Sequence, residues 1–140
     1  ATAKWGFIMM DLWAIGGVMV IYLAALQGVP VHLYEAARLD GAHGWQLVRH
    51  VTLPQIAPVI QYMLIIGVIG AFQYFTQTFI ATRGGPENST LFYALYLFQN
   101  AFEFFRFGHA CAMAWMLFLI TLLATYGVWK LTLSKAFHEA

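Results

Sequence analysis

Three long stretches without Asp, Glu, Lys or Arg constrain this chain most. They are Leu12–Tyr34, His50–Thr82 and Phe107–Trp129. A helix that crosses a bilayer needs roughly 20 mostly apolar residues, so each stretch can hold one. A buried helix of a soluble protein is the alternative for any one stretch, but three in 140 residues argue against it. We therefore predict an all-α, polytopic membrane protein. The predicted spans lie at about residues 7–26, 57–79 and 107–129.

The composition agrees with a membrane protein and argues against other classes. Hydrophobic residues make up 61% of the chain and charged residues only 9%, against about 25% in a typical soluble domain. The net charge of +1 gives no electrostatic case for a nucleic-acid partner. A single cysteine, Cys111, excludes an internal disulfide. The chain starts without a methionine or a cleavable signal pattern, so we expect a piece of a longer polypeptide or a processed product.

A polar segment at about residues 30–54 separates the first two predicted spans. Pro30 suits the first position of a helix, where its missing N–H costs no hydrogen bond. Val31–Asp40 then gives about two and a half helical turns. The small side chains of Ala36 and Ala37 leave one side of this helix thin enough for close packing. Gly41 suits the left-handed position just beyond a helix end.

The second half of this segment predicts another short helix. Gly44 permits a second sharp turn, and Trp45–Val51 can form a helix with Trp45 and Val48 on one face. Pro54 suits the first position of the following span. The prediction is a helix–turn–helix held outside the membrane. A docking surface for a soluble partner is one interpretation; an amphipathic helix resting on lipid headgroups is the other.

The region at about residues 82–106 links the second and third spans. The turn at residues 83–86, Arg-Gly-Gly-Pro, stops the second span. From residue 88 onwards, apolar side chains recur at helical spacing, which predicts an amphipathic helix at the interface or dipping into it. The predicted apolar stripe consists of Leu91, Leu95, Phe98, Phe102 and Phe105.

Basic residues give only a weak indication of orientation. With three spans, the polar segment and the C-terminus share one side of the membrane. That side carries Arg38, Arg49, Lys130 and Lys135, and the other carries Lys4, Arg83 and Arg106. Four against three leans towards a cytoplasmic polar segment.

The polar segment resembles a known signature. Glu35-Ala36-Ala37, Gly41 after three further residues, and Leu53-Pro54 are similar to the EAA motif of permease subunits of binding-protein-dependent ABC importers. Val51 stands where isoleucine is usual. Residues 82–90 (TRGGPENST) resemble a periplasmic turn of the sugar-importer branch, although Arg83 replaces a commonly small residue. Residues 96–102 (YLFQNAF), followed by GHA at 108–110, extend the resemblance over nearly the whole chain.

The resemblance implies a type I ABC importer transmembrane domain, of which residues 1–140 would be the last three of six core helices. It implies a bacterial or archaeal inner membrane, a cytoplasmic polar segment and C-terminus, and a periplasmic turn at 82–90. The implied partners are a cytoplasmic ATPase dimer, a second permease chain, typically different, and a periplasmic or lipid-anchored solute-binding protein. The implied ATPase-coupling residues are Glu35, Ala36, Ala37, Asp40, Gly41, Leu53 and Pro54. The implied contact with the binding protein consists of Gly84, Gly85 and Pro86.

No catalytic motif accompanies this signature. The chain lacks a phosphate-binding G-x-x-x-x-G-K-[ST] loop, an H-E-x-x-H helix and a G-x-S-x-G elbow. The histidines and Cys111 lack the spacing of a metal site. We expect a non-catalytic subunit without a cofactor, with ATP and Mg²⁺ bound by the partner ATPase.

Polar side chains inside the spans are candidates for the translocation path, because such groups are costly against lipid. Gln73 and Gln77 are four residues apart and should share a helix face, with Tyr74 adjacent. In the first span Asp11 and Trp13 form a similar patch. We expect Gln73, Tyr74, Gln77 and Trp13 to contact a sugar; hydrogen bonding between helices is the alternative.

Other functions stay open. The same class of importer could carry a polyol, a glycerol phosphoester or another small solute. A secondary transporter would need ionisable pairs inside the membrane, and only Asp11 is available. A membrane scaffold subunit without transport activity is a third possibility.

Overall fold

The structure, a computed structural model, describes residues 2–136, and every regular element in this range is helical. The chain divides into two compact units. One unit comprises residues up to 14 together with 65–127, and the other comprises 15–64 together with the residues from 128 on. The predicted cytoplasmic C-terminus, Ala140, lies outside the described residues.

Within residues 2–136 the chain forms eight α-helices and two π-helical turns. The α-helices are α1 (Thr2–Ala14), α2 (Gly16–Gln27), α3 (Val31–Leu39), α4 (Trp45–Leu47), α5 (Leu53–Phe72), α6 (Thr76–Ala81), α7 (Tyr93–Phe98) and α8 (Phe107–Ala136). The first π turn is Val48–Thr52 and the second is Gln99–Glu103.

Three helical runs in the described range are long and apolar enough to cross a membrane. They are Lys4–Gln27, Trp45–Ala81 and Phe107–Lys130. Each run contains one of the three predicted spans. At most 6% of the most apolar window of any run is buried within the chain. Their apolar surface is therefore left for lipid or for other protein chains.

The second span is not the single helix predicted over residues 57–79. The α5 helix ends at Phe72, residues 73–75 are not helical, and α6 begins at Thr76. The hydroxyl of Thr78 donates to the Phe75 carbonyl at 2.7 Å. The Phe75 carbonyl also accepts the amide of Phe79 at 2.9 Å, so two bonds hold the first turn of α6 directly after the break.

The prediction that Pro54 begins this span is also wrong. The helical run starts at Trp45 and continues through the first π turn into α5, so Pro54 lies inside it. The amide of Leu53 donates to the carbonyl of Val48, five residues earlier. Such i→i+5 bonds depart from the α pattern directly before Pro54, where a proline would otherwise interrupt an α-helix.

The start of α3 differs from the prediction by one residue. Pro30 has φ −63° and ψ 130°, an extended conformation, so it is the cap and Val31 is the first helical residue. The Pro30 carbonyl accepts a hydrogen bond from the amide of Leu33 at 3.2 Å. The cap position likewise costs a proline no hydrogen bond, because only the carbonyl of a capping residue enters the helix.

The predicted amphipathic helix over 88–106 is shorter: it comprises α7 and the second π turn, and Phe105 lies beyond it with φ +54°. Leu95 of the predicted apolar stripe is fully buried within the chain, whereas Phe102 and Phe105 are 60% and 74% exposed and so are left for lipid or another protein chain. The second π turn adds a residue to one turn and so rotates the following side chains out of phase. Asn100 is buried instead, and its amide donates to the Tyr96 carbonyl at 2.8 Å.

Candidate functional site

The end of α3 is fixed by a complete two-bond cap. The amide of Gly41 donates to the Arg38 carbonyl at 3.0 Å, and the amide of Ala42 donates to the Ala37 carbonyl at 2.9 Å. This is the Schellman pattern, in which the residue after the cap is left-handed. Gly41 has φ +86°, which confirms its predicted position.

The chain then turns back through residues 42–44. Gly44 has φ 54° and ψ −119°, a conformation that side chains other than glycine's rarely allow. His43 closes the turn twice. Its amide donates to Oε1 of Gln46 at 3.3 Å, and its ring Nδ1 lies 2.8 Å from the Gly41 carbonyl. A carbonyl oxygen only accepts, so Nδ1 carries the proton.

A side-chain hydrogen bond joins α3 to the first π turn. The hydroxyl groups of Tyr34 and Thr52 lie 2.8 Å apart, and both side chains are half-buried. The Thr52 hydroxyl also lies 3.5 Å from the Leu47 carbonyl. The predicted helix–turn–helix is therefore a folded unit and not a loose loop.

The coupling residues named from the sequence divide into two groups in this unit. Ala37, Asp40 and Gly41 line an open cavity of about 270 Å³, opposite Gln46 and His50. The remaining four lie outside its lining: Glu35 and Ala36 are exposed on α3, and Leu53 and Pro54 are exposed at the start of α5. Exposed positions on α3 can contact another protein without rearrangement.

A second cluster forms around Tyr74, at the break between α5 and α6. Its phenol donates to Oδ1 of Asp11 at 3.2 Å. The Tyr74 ring packs edge-on against Phe7 and Phe92, with centroids 5.8 Å and 5.4 Å away. With Lys4, these residues line an open cavity of about 360 Å³. A carboxylate, a phenol and aromatic faces around one cavity are suited to a ligand with both hydroxyl groups and an apolar face.

The other predicted path residues do not join this cluster. Trp13 is 92% exposed on α1 and does not line the cavity. Gln73 and Gln77 do not share a face of one helix, because the break at residues 73–75 separates them. Gln73 is exposed and Gln77 is half-buried on α6. The periodicity argument failed here because it assumed an uninterrupted helix.

Phe92 and Phe7 belong to the cluster but were missing from the sequence-based set. Phe92 lies in the segment interpreted as an interfacial helix, 18 positions from Tyr74 in a chain rich in phenylalanine. No spacing rule connects the two residues. Asp11, the only acidic residue of the first apolar run, was the one available signal, because a charge within a span marks a functional site.

The turn containing Gly84, Gly85 and Pro86 is held by two threonines. The Thr90 hydroxyl donates to the Gly85 carbonyl at 2.7 Å and lies 2.7 Å from the Thr82 hydroxyl. Thr90 is 1% exposed, whereas Pro86 at the tip is exposed. The buried hydroxyls give the turn a fixed shape and leave its tip free for contact.

Arg83, the departure from the family pattern, also has a place in this turn. Its guanidinium lies 5.9 Å from the centre of the Phe79 ring, within the range of a cation–π contact.

No group of three or more His, Cys, Asp or Glu side chains within residues 2–136 could hold a metal ion.

Comparison with known proteins shows what the chain resembles. The model of the family described as "Binding-protein-dependent transport system inner membrane component" matches residues 2–129. A probable ABC transporter permease protein of Bacillus subtilis, YesP, is 41% identical over 131 residues, which cover 92% of this chain and 42% of YesP. A putative ABC transporter permease protein of a Caldicellulosiruptor species, ORF1, is 36% identical over 121 residues, which cover 86% of this chain and 85% of ORF1.

A third relative is the probable starch degradation products transport system permease protein AmyD of Thermoanaerobacterium thermosulfurigenes. It is 38% identical over 120 residues, 85% of this chain and 41% of AmyD. The chain thus spans about two fifths of YesP and of AmyD. No solved structure matches it at a significant level. The matches confirm the predicted all-α, polytopic fold of a type I ABC importer transmembrane domain, and the chain belongs to the binding-protein-dependent transport system inner membrane component family.

Proposed function

We propose that the chain is part of the permease subunit of an ATP-driven importer and couples to the ATPase through residues 30–54. The observation that carries this proposal is the folded unit around α3. Its helix is capped by two backbone bonds at Gly41 and tied to the first π turn through Tyr34. Glu35 and Ala36 remain exposed on it. A soluble partner can bind a rigid, exposed helix beside a membrane span and displace it as a unit.

The proposed partners follow from the family. A cytoplasmic ATPase dimer binds α3, with Glu35, Ala36, Ala37, Asp40 and Gly41 at the contact and Leu53-Pro54 leading into the span. A second permease chain, typically different, completes the translocation path. In this arrangement residues 30–54 face the cytoplasm. The ATPase binds ATP and Mg²⁺, and this chain has no catalytic role.

The periplasmic side of the proposed importer presents the turn at residues 82–90. A periplasmic or lipid-anchored binding protein contacts Gly85 and Pro86 there, whereas Gly84, the third residue expected at this contact, is buried beside Leu91. The buried Thr90 hydroxyl supports this role, because it holds the backbone beneath the exposed tip in one shape. A preformed surface loses less conformational entropy when a partner binds.

We propose a sugar as the cargo. AmyD, at 38% identity, is named for transport of starch degradation products. The cavity around Tyr74 supplies aromatic faces and the Asp11 carboxylate, which suit a sugar ring and its hydroxyl groups. Trp13, Gln73 and Gln77 are further candidates along the path. A polyol or a glycerol phosphoester is the alternative cargo for the same transporter.

The test uses the full-length protein assembled with its ATPase, partner permease and binding protein in proteoliposomes. Glu35→Lys and Gly41→Asp should each abolish ATP-dependent sugar uptake while membrane insertion persists. The matched control is Glu103→Lys, which reverses an exposed charge outside residues 30–54. Full uptake by both variants, or failure of an ATPase to co-purify with the unmodified protein, would show that the proposal is wrong.

The cargo is tested separately with the unmodified transporter. Labelled maltotriose and labelled glycerol 3-phosphate are offered in parallel with ATP. Accumulation of the oligosaccharide alone supports a sugar importer. Accumulation of the phosphoester alone would keep the transporter class and change the cargo.

A further inference from the structure

The hydrogen bond between Tyr34 and Thr52 joins two positions of special importance to the proposed coupling unit. Tyr34 directly precedes Glu35 on the exposed helix α3. Thr52 is the last residue of the first π turn and directly precedes α5. The 2.8 Å contact therefore connects the docking helix to the base of the second membrane span.

The Thr52 side chain is well placed to hold this connection. Its hydroxyl also lies 3.5 Å from the Leu47 carbonyl, five residues earlier. A π turn departs from i→i+4 bonding, so its backbone is held less regularly than an α-helix. Beyond Thr52, α5 continues for 20 residues to Phe72. A displacement of Thr52 is therefore transmitted directly to the start of α5.

The backbone route between α3 and this helix runs through residues 40–44. The hydrogen bonds that hold this turn, at Gly41, Ala42 and His43, are local, and none spans more than five residues. None of them joins α3 to the first π turn. Among the described residues, Tyr34 and Thr52 form the only side-chain hydrogen bond between α3 and the first π turn.

We propose that Tyr34 and Thr52 are positioning residues that form a strut between α3 and the second span. The strut makes α3 and the start of α5 move together when the ATPase displaces α3. Without it, the glycine-containing turn absorbs part of the displacement and ATP is hydrolysed with less transport. This inference rests on the proposed function, because it assumes that a partner moves α3.

The experiment measures sugar taken up per ATP hydrolysed, in the complete reconstituted transporter. Tyr34→Phe and Thr52→Val each delete one partner of the bond with little change in shape. We expect each to lower the ratio by about fivefold, the equilibrium equivalent of one neutral hydrogen bond. The double variant should be no worse than either single one. Thr52→Ser retains the hydroxyl and should restore the ratio.

Two controls remove a hydroxyl elsewhere. Tyr62→Phe alters an exposed tyrosine of α5, and Thr121→Val removes a hydroxyl that donates to the Leu117 carbonyl within α8. Both should leave the ratio unchanged. Co-purification of the ATPase is measured for all variants, because the strut acts after docking and should not alter it.

The outcomes separate this proposal from the one before it. An unchanged ratio in both Tyr34→Phe and Thr52→Val, with normal docking, would overturn the strut and leave the permease function intact. Equal losses in the two control variants would also overturn it. If the unmodified protein binds no ATPase, the proposed function itself fails, and that result is visible before any variant is made.

Discussion

The phenol of Tyr74 donates a hydrogen bond to Oδ1 of Asp11 at 3.2 Å, although 63 positions separate the two residues in the sequence. A carboxylate on a membrane span is costly against lipid, so such groups face protein or a water-filled cavity. Here the carboxylate lines a cavity together with two phenylalanine rings. The bond links α1 to the point where the second span stops being helical.

This contact can be measured by a double-mutant cycle. Asp11→Ala and Tyr74→Phe each remove one partner, so their combined effect should be smaller than the sum of the two. We expect a coupling free energy of about 0.5–1.5 kcal/mol, from unfolding midpoints of the purified protein in detergent. Phe7→Leu in place of Tyr74→Phe serves as the control, because Phe7 offers Asp11 no hydrogen bond. A coupling energy near zero for the first pair would contradict the contact.

Variants at Gly41 should retain more uptake the more readily the new residue adopts a positive φ. Nothing lies within 4 Å of the position of an added Cβ, so space does not limit the choice. Asparagine visits the left-handed region far more readily than valine, for which it costs roughly 1–2 kcal/mol or more. Gly41→Asn should therefore keep more ATP-dependent uptake than Gly41→Val. The reverse order would show that a side chain, and not the backbone angle, matters here.

Thr90 should be essential to the shape of the turn at residues 82–90. Thr90→Val keeps the side-chain volume but leaves the Gly85 carbonyl without its donor, which costs about 1–3 kcal/mol when the group is buried. The expected result is a lower unfolding midpoint in detergent and weaker capture of the binding protein. Thr76→Val, at an exposed threonine, is the matched control and should change neither.

Gln73 and Gln77 should behave as independent sites. The break at residues 73–75 places Gln77 on α6, outside α5. The effects of Gln73→Leu and Gln77→Leu on half-maximal sugar uptake should add within about 0.5 kcal/mol, as for separated residues. Strong non-additivity would restore the original interpretation of a shared helix face. If neither change affects uptake, both amides lie outside the sugar path.

Much of the architecture could be predicted because it depends on local pattern. The three spans could be located from the three long stretches without Asp, Glu, Lys or Arg. Gly41 located the end of α3, since few other residues adopt its φ. The family resemblance identified the class, and the comparisons confirm it. These signals work because each depends on residues close together in the sequence.

The errors have a common physical origin. Three predictions failed where a helix departs from 3.6 residues per turn. They are the start of the second span at Pro54, its continuity at Gln73 and the length of the helix before Phe105. At two of these places a side chain bonds to the nearby backbone: the Asn100 amide donates to the Tyr96 carbonyl and the Thr78 hydroxyl donates to the Phe75 carbonyl. Hydrophobic periodicity does not report such bonds. The aromatic cluster at Phe92 was missed because its rings come from segments that are far apart in the sequence.

The first π turn also has a consequence for how this chain tolerates changes in length. Each residue of an α-helix advances the chain by about 100° around the axis. A π turn holds about one residue more than an α turn, so deleting one residue from Val48–Thr52 would let a regular α-helix replace it and keep the side chains of α5 close to their present directions. The same deletion inside α5 would instead rotate every side chain beyond it by about 100°. A change in length should therefore be tolerated within this turn and not within α5.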